Sequence, residues 1–174
     1  MWDFFETVRH RHSVRKYQNL PVEPEKLHAI LEMASAAPSA GDLQAYKIIV
    51  IEQQADRDTL AIAAQNQTFI AQAPISLVFC AEPERSAARY GQRGHDLYAI
   101  QDATIAAAYA QLATVAAGMG STWVGYFDEM QVRKALAIAP SLVPVVILSL
   151  GYPAELPEAT PRRRLEEIVL FRRE

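Results

Sequence analysis

The sequence predicts an α+β fold in which helices surround one small mixed β-sheet, and three features support this fold class. Four short runs rich in β-branched residues have the composition of buried strands. Helical patterns separate these runs, and the longest of them, residues 95–118, is apolar on nearly every side. The chain has 174 residues, enough for one well-buried domain and short for two, so residues 1–174 are interpreted as a single domain.

The first half of the chain alternates helical and extended patterns. A short amphipathic turn is expected to fasten the N-terminal segment to the core through its apolar side chains, Trp2, Phe4, Phe5 and Val8. Residues 24–37 predict an amphipathic helix, because Pro24 suits a first helical turn and apolar residues recur at helical spacing. The other elements expected here are strands at 46–51 and 75–81 and helices at about 57–64 and 67–73.

The middle of the chain joins a polar segment to the long apolar one. Residues 82–94 are interpreted as a surface connection. Its arginines have the spacing of a solvated helix face: Arg85, Arg89 and Arg93. Residues 95–118 predict a long helix, and polar side chains within it, such as Asp102, argue against a membrane span. Since a chain of this length has few elements to surround such a helix, we expect it to form a subunit interface, and a twofold homodimer is the usual arrangement.

The last third contains the remaining predicted elements. Strands are expected at 121–126 and 143–150, with a helix at about 129–137 between them. Prolines after residue 153 indicate an extended arm, and residues 168–171 are apolar and strand-like. Because such a tail is unfavourable in water, we expect it to add to a sheet edge, either its own or that of a partner subunit.

Positive charge is concentrated at the two ends of the chain, although the net charge is −3. Residues 1–16 and residues 162–174 each carry a net charge of +2, which leaves −7 for the middle. Two basic ends on an acidic body argue against broad nucleic-acid binding, which needs a basic face across the domain. They suit one local anionic ligand if the ends meet, since arginine gives bidentate contacts to phosphate and serine adds a neutral donor. The alternative for residues 9–17 is a solvated basic run near a terminus.

The sequence offers few catalytic groups of its own. Cys80, the single cysteine, ends an apolar run and is interpreted as an inert buried thiol in a reducing compartment. With no secretory leader pattern, a cytoplasmic location is expected. The four histidines form no metal-ligand set, and glycine-rich phosphate loops and nucleophile elbows are lacking. If the protein is an enzyme, a bound cofactor is therefore expected to carry the chemistry.

Several motifs, in the same order along the chain, resemble the FMN-dependent nitroreductase family. They are Arg11-His12-Ser13-x-Arg15-x-Tyr17, Pro38-Ser39-Ala40-Gly41-x-Leu43-Gln44, Asn66-Gln67 ahead of Ala73-Pro74, Gly118-Met119-Gly120-Ser121-x-Trp123-Val124-Gly125-x-Phe127-Asp128, Leu150-Gly151-Tyr152-Pro153 and Arg162-x-Arg164-Leu165-x-x-Ile168-Val169. Each motif alone is weak, but together they cover most of the chain. The sequence is therefore identified as a short, compact member of that family.

The resemblance implies an intertwined homodimer whose C-terminal arm reaches the partner, with one FMN at each of two interface sites. It assigns the phosphate and ribityl chain to residues from both ends: Arg11, His12, Ser13, Arg15, Arg162 and Arg164. It places Asn66 at the polar edge of the flavin and the backbone of Val124 and Gly125 near N5. The partner subunit would contribute Pro38, Ser39, Ala40 and Gln44, although a simple turn that ends a helix remains the alternative for Ser39 and Gln44.

The sequence departs from the family pattern at a few places. Asp42 stands where many relatives have asparagine, and Phe69 stands where some have lysine. Gln44-Ala45-Tyr46 replaces the commoner Gln-Pro-Trp. Only a compact connection separates Cys80 from His95, without the long helical excursion that roofs the site in larger relatives. The substrate acceptor therefore cannot be transferred from them.

The family resemblance implies an FMN oxidoreductase with ping-pong turnover, in which NADH or NADPH reduces the flavin and a nitroaromatic or quinone then accepts the electrons. In this hypothesis no side chain acts as a catalytic group, and positive charge near N1 and O2 stabilises the reduced flavin. One alternative is a flavin enzyme that acts on a dedicated metabolite or is reduced by ferredoxin. Another is a dimer that binds a phosphorylated ligand without redox turnover. Neither nucleic acid nor a membrane is expected as a partner.

Overall fold

The computed structural model describes residues 3–172, in which seven α-helices and four β-strands form an α+β fold. The helices are α1 Phe4–His10, α2 Pro24–Ser35, α3 Gln54–Ala63, α4 Phe69–Gln72, α5 Pro83–Arg93, α6 Ala99–Ala116 and α7 Glu129–Ala135. The strands are β1 Tyr46–Ile51, β2 Ile75–Ala81, β3 Gly120–Val124 and β4 Val143–Gly151. Short helical turns of other types occur at Ala40–Asp42, Gly94–Tyr98 and Leu165–Glu167.

The sheet has the strand order β1-β2-β4-β3, and all its neighbouring strands are antiparallel. The predicted α+β class is confirmed, but the expected mixture of strand directions is wrong for the four strands. The reason is that β1 and β2, like β3 and β4, are neighbours both in sequence and in the sheet, and each connection leaves and re-enters the sheet at the same end of the strands. A single parallel bridge between Ser13 and Ser121 lies outside the named strands.

The core consists of two apolar layers, one on each face of the sheet. On one face, small side chains of α6 pack against Leu77 and Phe79 of β2 and Leu148 of β4. Alanines allow this close approach of helix and sheet. On the other face, α3 and α7 cover a second layer that contains Val78, Cys80 and Ile147. Cys80 is buried as predicted, and burial raises the pKa of its thiol to about 11, which keeps it protonated and unreactive.

The predicted elements match the observed ones closely except at two places. Residues 82–94 are not merely a surface connection, because α5 occupies most of them; its helix is so polar that only Pro83 and Ser86 are buried. The C-terminal residues 168–171 form no strand in the single chain and are exposed. The composition of a strand does not by itself make this tail form one, since a strand needs a neighbouring strand that supplies backbone hydrogen bonds.

Apolar surface remains uncovered at both ends of the chain. Phe4 and Phe5 of α1 are each 67% exposed, and Leu170 of the tail is 95% exposed. Val8 is also exposed, so the expectation that these side chains fasten α1 to the core is not met within one chain. Trp2, the fourth member of that set, lies outside the described residues. Within residues 3–172, no helix combines the length and the hydropathy that a membrane crossing requires.

Candidate functional site

The basic segment near the N-terminus lies along the outer edge of β3. The backbone amide of Val14 donates to the carbonyl of Ser121 at 3.0 Å, and the hydroxyl of Thr122 donates to the carbonyl of Val14. Gly120 permits this approach, because a Cβ there would stand 2.5 Å from Cγ2 of Val14. Contacts with β3 therefore fix Val14 to the sheet, and the flanking polar residues of the segment are left partly or fully exposed.

Tyr17 fastens the other end of this segment. Its hydroxyl contacts two backbone carbonyls, that of Val14 at 2.8 Å and that of Ser149 at 3.1 Å. Burial raises the pKa of Tyr17 well above its ordinary value, so the hydroxyl stays protonated and able to donate. The segment is thus held by a neutral buried group that does not titrate near neutral pH.

The segment that follows β4 crosses residues 16–18 and brings the two ends of the chain together. The amide of Gln18 donates to the carbonyl of Tyr152 at 2.8 Å, and the amide of Ala154 donates to the carbonyl of Lys16 at 2.9 Å. An exposed ion pair between Lys16 and Glu155, at 2.7 Å, adds to these contacts. The proline-containing arm therefore starts next to the basic segment. This agrees with the expectation that the two basic ends of the chain meet.

A cleft of about 450 Å³ lies between the basic segment and the arm. Its polar walls come from both ends of the chain and consist of Arg9, Arg11, His12, Ser13, Arg15, Glu158, Thr160 and Arg162. Guanidinium groups with a nearby hydroxyl are the donors that hold a phosphate group, and the volume falls within the range of ~300–1,000 Å³ typical of small-molecule sites. We call it the basic cleft. The basic cleft can bind an anionic group together with a moderate apolar or polar body.

Arg164, the last of the residues that the sequence assigned to the phosphate, does not line the basic cleft. In the single chain its Nε lies 3.4 Å from a carboxylate oxygen of Glu167, and its side chain is exposed. Arg162 does line the basic cleft, and its Nη1 donates to the carbonyl of Thr160 at 3.0 Å. The structure therefore brings five of the six predicted phosphate residues together.

Arg15 links the basic cleft to the turn before α4. Its guanidinium carbon lies 5.8 Å from the centre of the Phe69 ring, a cation–π distance. Phe69 begins α4, directly after the turn that presents Asn66. Asn66 is exposed and, like Gln65, has a positive φ, 58° and 59° respectively, which is uncommon for residues other than glycine. A turn with two residues in the left-handed region therefore presents Asn66 to solvent, three residues before the Phe69 ring that Arg15 contacts.

Gln67 joins this turn to the backbone after β3. Its side-chain amide donates to the carbonyls of Ala64 at 2.8 Å and Tyr126 at 3.1 Å. Of the two residues predicted there, Val124 is buried and Gly125 is exposed. The side chain of Gln67 therefore ties the turn that contains Asn66 to the backbone directly after Gly125.

The loop Pro38–Ala45 forms a separate part of the structure, and none of its residues lines the basic cleft. Gly41, Asp42 and Gln44 all have positive φ angles. Within the loop the backbone N–H of Gln44 donates to Oγ of Ser39 at 3.0 Å. The predicted residues Pro38, Ser39, Ala40 and Gln44 are therefore together, but the single chain does not join them to the other predicted residues.

Three side chains that the sequence did not single out for this role hold the loop in place. Asp102 of α6, only 2% exposed, accepts from the amide of Ala40 at 2.9 Å and from that of Ala45 at 3.3 Å. Arg85 donates to the carbonyl of Leu43 at 2.6 Å, and Arg89 donates to that of Gly41 at 3.1 Å. Asp102 could have indicated this support from the sequence, because a carboxylate inside an apolar helix needs buried hydrogen-bond donors.

Comparison with known proteins matches most of this chain to one protein family. The model of the nitroreductase family matches residues 8–67 and 61–152, most of the chain. The chain belongs to the nitroreductase family. This confirms the resemblance carried by the N-terminal, central and Leu150–Pro153 motifs.

Relatives within the nitroreductase family match nearly the whole chain. A protein named NADH dehydrogenase from Thermus thermophilus is 31% identical, over 93% of this chain and 92% of its own length. The NADPH-flavin oxidoreductase of Vibrio harveyi is 29% identical, over 90% of this chain and 68% of its own. A solved FMN-dependent nitroreductase from Clostridium difficile has a TM-score of 0.82 and 26% identity, and covers 96% of this chain and 98% of its own.

Proposed function

We propose that this nitroreductase-family protein is an FMN-dependent oxidoreductase that passes electrons from NADH or NADPH to a small acceptor such as a nitroaromatic or a quinone. The observation that carries the proposal is the basic cleft, in which residues from both chain ends surround a space suited to a phosphate-bearing ligand. The relatives described above, a flavin oxidoreductase and an FMN-dependent nitroreductase, support the choice of FMN.

The donors present fit a flavin mononucleotide phosphate. Arg11, Arg15 and Arg162 offer three guanidinium groups, and Ser13 adds a hydroxyl, all on one cleft. A phosphate with nearly two negative charges at neutral pH is matched by several such donors. Among residues 3–172, Glu158 is the one carboxylate that lines the basic cleft, and the positive charges there outnumber it.

The proposal gives this chain a binding and electrostatic task. Bound FMN would supply the redox chemistry, because its flavin ring can take up a hydride from a nicotinamide and release the electrons to an acceptor. Arg15, held against Phe69, would anchor the phosphate at a fixed place. Asn66 and the exposed backbone at Gly125 would meet the polar edge of the ring, where donors stabilise developing negative charge.

A homodimer would complete this site. Exposed phenylalanines on α1 and the exposed apolar tail are costly in water, and a partner surface would bury them. The loop Pro38–Ala45 is rigidly held yet does not line the basic cleft of its own chain, which suits a role in the site of the partner. Arg164, which contacts Glu167 in the single chain, would reach a flavin phosphate only when the tail docks across the dimer.

The absorption spectrum of the purified protein tests the proposal directly. We expect flavin bands and about one FMN per chain. Arg15→Ala should weaken FMN binding about tenfold to a hundredfold, because it removes a charge-assisted contact of ~1.5–3 kcal/mol. Lys134→Ala, an exposed position on α7 outside the basic cleft, is the matched control and should keep FMN. A colourless protein that fails to bind added FMN would contradict the function, and full occupancy in Arg15→Ala would contradict the role of that residue.

A further inference from the structure

A second cavity lies at the end of the sheet where β1 ends and β2 begins. Its volume is about 380 Å³, which falls within the range of ~300–1,000 Å³ typical of small-molecule sites. Its walls come from residues 18–22, from the beginning of α3 and from the turn that leads into β2. We call it the Arg57 cavity, after the cation in its wall. No residue lines both this cavity and the basic cleft.

Arg57 combines burial with incomplete hydrogen bonding. It is 8% exposed, and within residues 3–172 it is the one buried residue with a cationic side chain. Its Nη1 donates to the backbone carbonyl of Glu52, and its Nη2 donates to Oε1 of Gln54 at 2.6 Å. Both acceptors are neutral. Its Nε is buried and has no hydrogen-bond acceptor in the part of the chain that the structure describes.

No carboxylate neutralises Arg57 at close range. None of the ion pairs found among residues 3–172 includes it. The neighbouring Asp58 accepts from the side-chain amide of Gln54 at 2.8 Å instead. Burial lowers the pKa of Arg57 and Asp58 opposes this through space, but a guanidinium remains protonated at neutral pH. A buried charge is costly unless an opposite charge and hydrogen bonds compensate it, and an anionic ligand in the cavity would supply both.

The remaining wall indicates which kind of anion fits. Glu52 also lines the cavity, so a dianion such as phosphate would be repelled by its carboxylate. A single carboxylate matches the single guanidinium and can form a bidentate contact with it. Leu20, Val22 and Ile75 add apolar surface for a hydrocarbon body. The wall therefore favours a monoanion that carries a short apolar group.

Two side-chain amides in the wall have unused donors. Asn19 and Gln72 both line the cavity and are exposed, and their side chains form no hydrogen bond with the other residues of the range 3–172. Each amide group carries two N–H donors and one acceptor oxygen. The cavity thus offers neutral donors in addition to the guanidinium of Arg57.

We propose that the Arg57 cavity binds a small aliphatic monocarboxylate. The ligand places its carboxylate on the guanidinium of Arg57, where it supplies the acceptor that Nε lacks, and its hydrocarbon body against Leu20 and Val22. This is a ligand site in addition to the basic cleft, and it does not depend on the flavin function because the two sites share no lining residue.

An NMR titration of the FMN-saturated, ¹⁵N-labelled protein with isovalerate tests the inference. FMN fills the basic cleft and so keeps the probe away from the arginines there. We expect saturable shifts of the Arg57 Nε–H signal and of the backbone amides of Leu20 and Ile75. Acetate, with three carbon atoms fewer, should bind about tenfold more weakly because it buries less apolar surface. Inorganic phosphate should also bind about tenfold more weakly, because Glu52 repels a dianion.

Two variants and one control separate the site from general effects of charge. Arg57→Met keeps a long side chain without the charge and should weaken isovalerate binding about tenfold or more. Because Arg57 also contacts the beginning of α3, Asn19→Asp is a second variant that leaves those contacts in place; its added negative charge should weaken binding about fivefold. Ser141→Asp adds the same charge at an exposed position before β4, at the opposite end of the sheet, and should match the wild type.

Four outcomes would overturn the inference. They are shifts that do not saturate, shifts confined to the surroundings of Asn66 and Gly125, phosphate binding as tight as that of isovalerate, and an Asn19→Asp variant that binds isovalerate as tightly as the wild type. Failure of the proposed function has a different signature, the absence of bound or bindable FMN in the wild-type protein.

Discussion

Substitution of Asp102 by asparagine should destabilise the protein and loosen the loop Pro38–Ala45. Asp102 is 2% exposed, and each of its oxygens accepts from one backbone amide, that of Ala40 at 2.9 Å and that of Ala45 at 3.3 Å. Asparagine keeps one acceptor and turns an NH₂ group toward the other amide, so one buried N–H loses its partner and faces a donor. A lost charge-assisted bond and a buried unpaired donor cost about 2–4 kcal/mol together.

Thermal and chemical unfolding measure this loss. For a chain of this size, about 3 kcal/mol corresponds to a decrease in Tm of roughly 6–12 °C. Hydrogen exchange should show faster exchange at the amides of Ala40 and Ala45, and little change in β2 and β4. Asp56→Asn, at an exposed position in the first turn of α3, is the matched control and should alter the free energy of unfolding by less than about 1 kcal/mol. A decrease in Tm below about 2 °C for Asp102→Asn, or unchanged exchange in the loop, would refute the reasoning.

Three further predictions concern the contacts that hold the site and the core. Gly120→Ala should destabilise the protein by about 1–3 kcal/mol in urea unfolding, because its Cβ would stand 2.5 Å from Cγ2 of Val14; an unchanged midpoint would contradict this close packing. Tyr17→Phe should cost about 1–2 kcal/mol at pH 8. Since burial raises the pKa of Tyr17 above 10, its stabilising effect is present below pH 10 and is lost as the pH rises further. The stability difference from wild type should therefore narrow by about 0.8 kcal/mol at pH 10.5, and a constant difference would refute the assignment. Cys80, with a pKa of about 11, should react with a disulfide reagent at pH 8 only as fast as the protein unfolds; rapid reaction in the native state would contradict its burial.

Much of the fold could be predicted from the sequence because the buried strands are short apolar runs with clear ends. The predictions 46–51 and 75–81 coincide with β1 and β2, since apolar residues, several of them β-branched, make up most of both runs and polar or proline residues flank them. Strand direction could not be predicted in the same way. It depends on whether a connection re-enters the sheet at the end where it left or at the opposite end, and no local pattern records that choice.

Other features escaped prediction because they depend on partners distant in sequence. The polar composition of residues 82–94 concealed α5, whose arginines contact a loop some 40 residues earlier. Residues 168–171 have the composition of a strand but find no sheet edge in their own chain. The convergence of Arg11 and Arg162 was predictable, since two basic ends on an acidic body suggested one anion, whereas the rigid support from Asp102 was not recognised.

The basic cleft is built from two segments that lie far apart in the sequence, residues 9–15 and 157–162. Arg11 belongs to the first segment, and the wall that contains Thr160 and Arg162 belongs to the second and is synthesised later. The backbone bonds between residues 16–18 and 152–154 have the long sequence separation that makes contacts form late. Binding of a phosphorylated cofactor in the basic cleft must therefore wait until both segments are in place, and a chain truncated before Thr160 cannot use that cofactor as a template for folding.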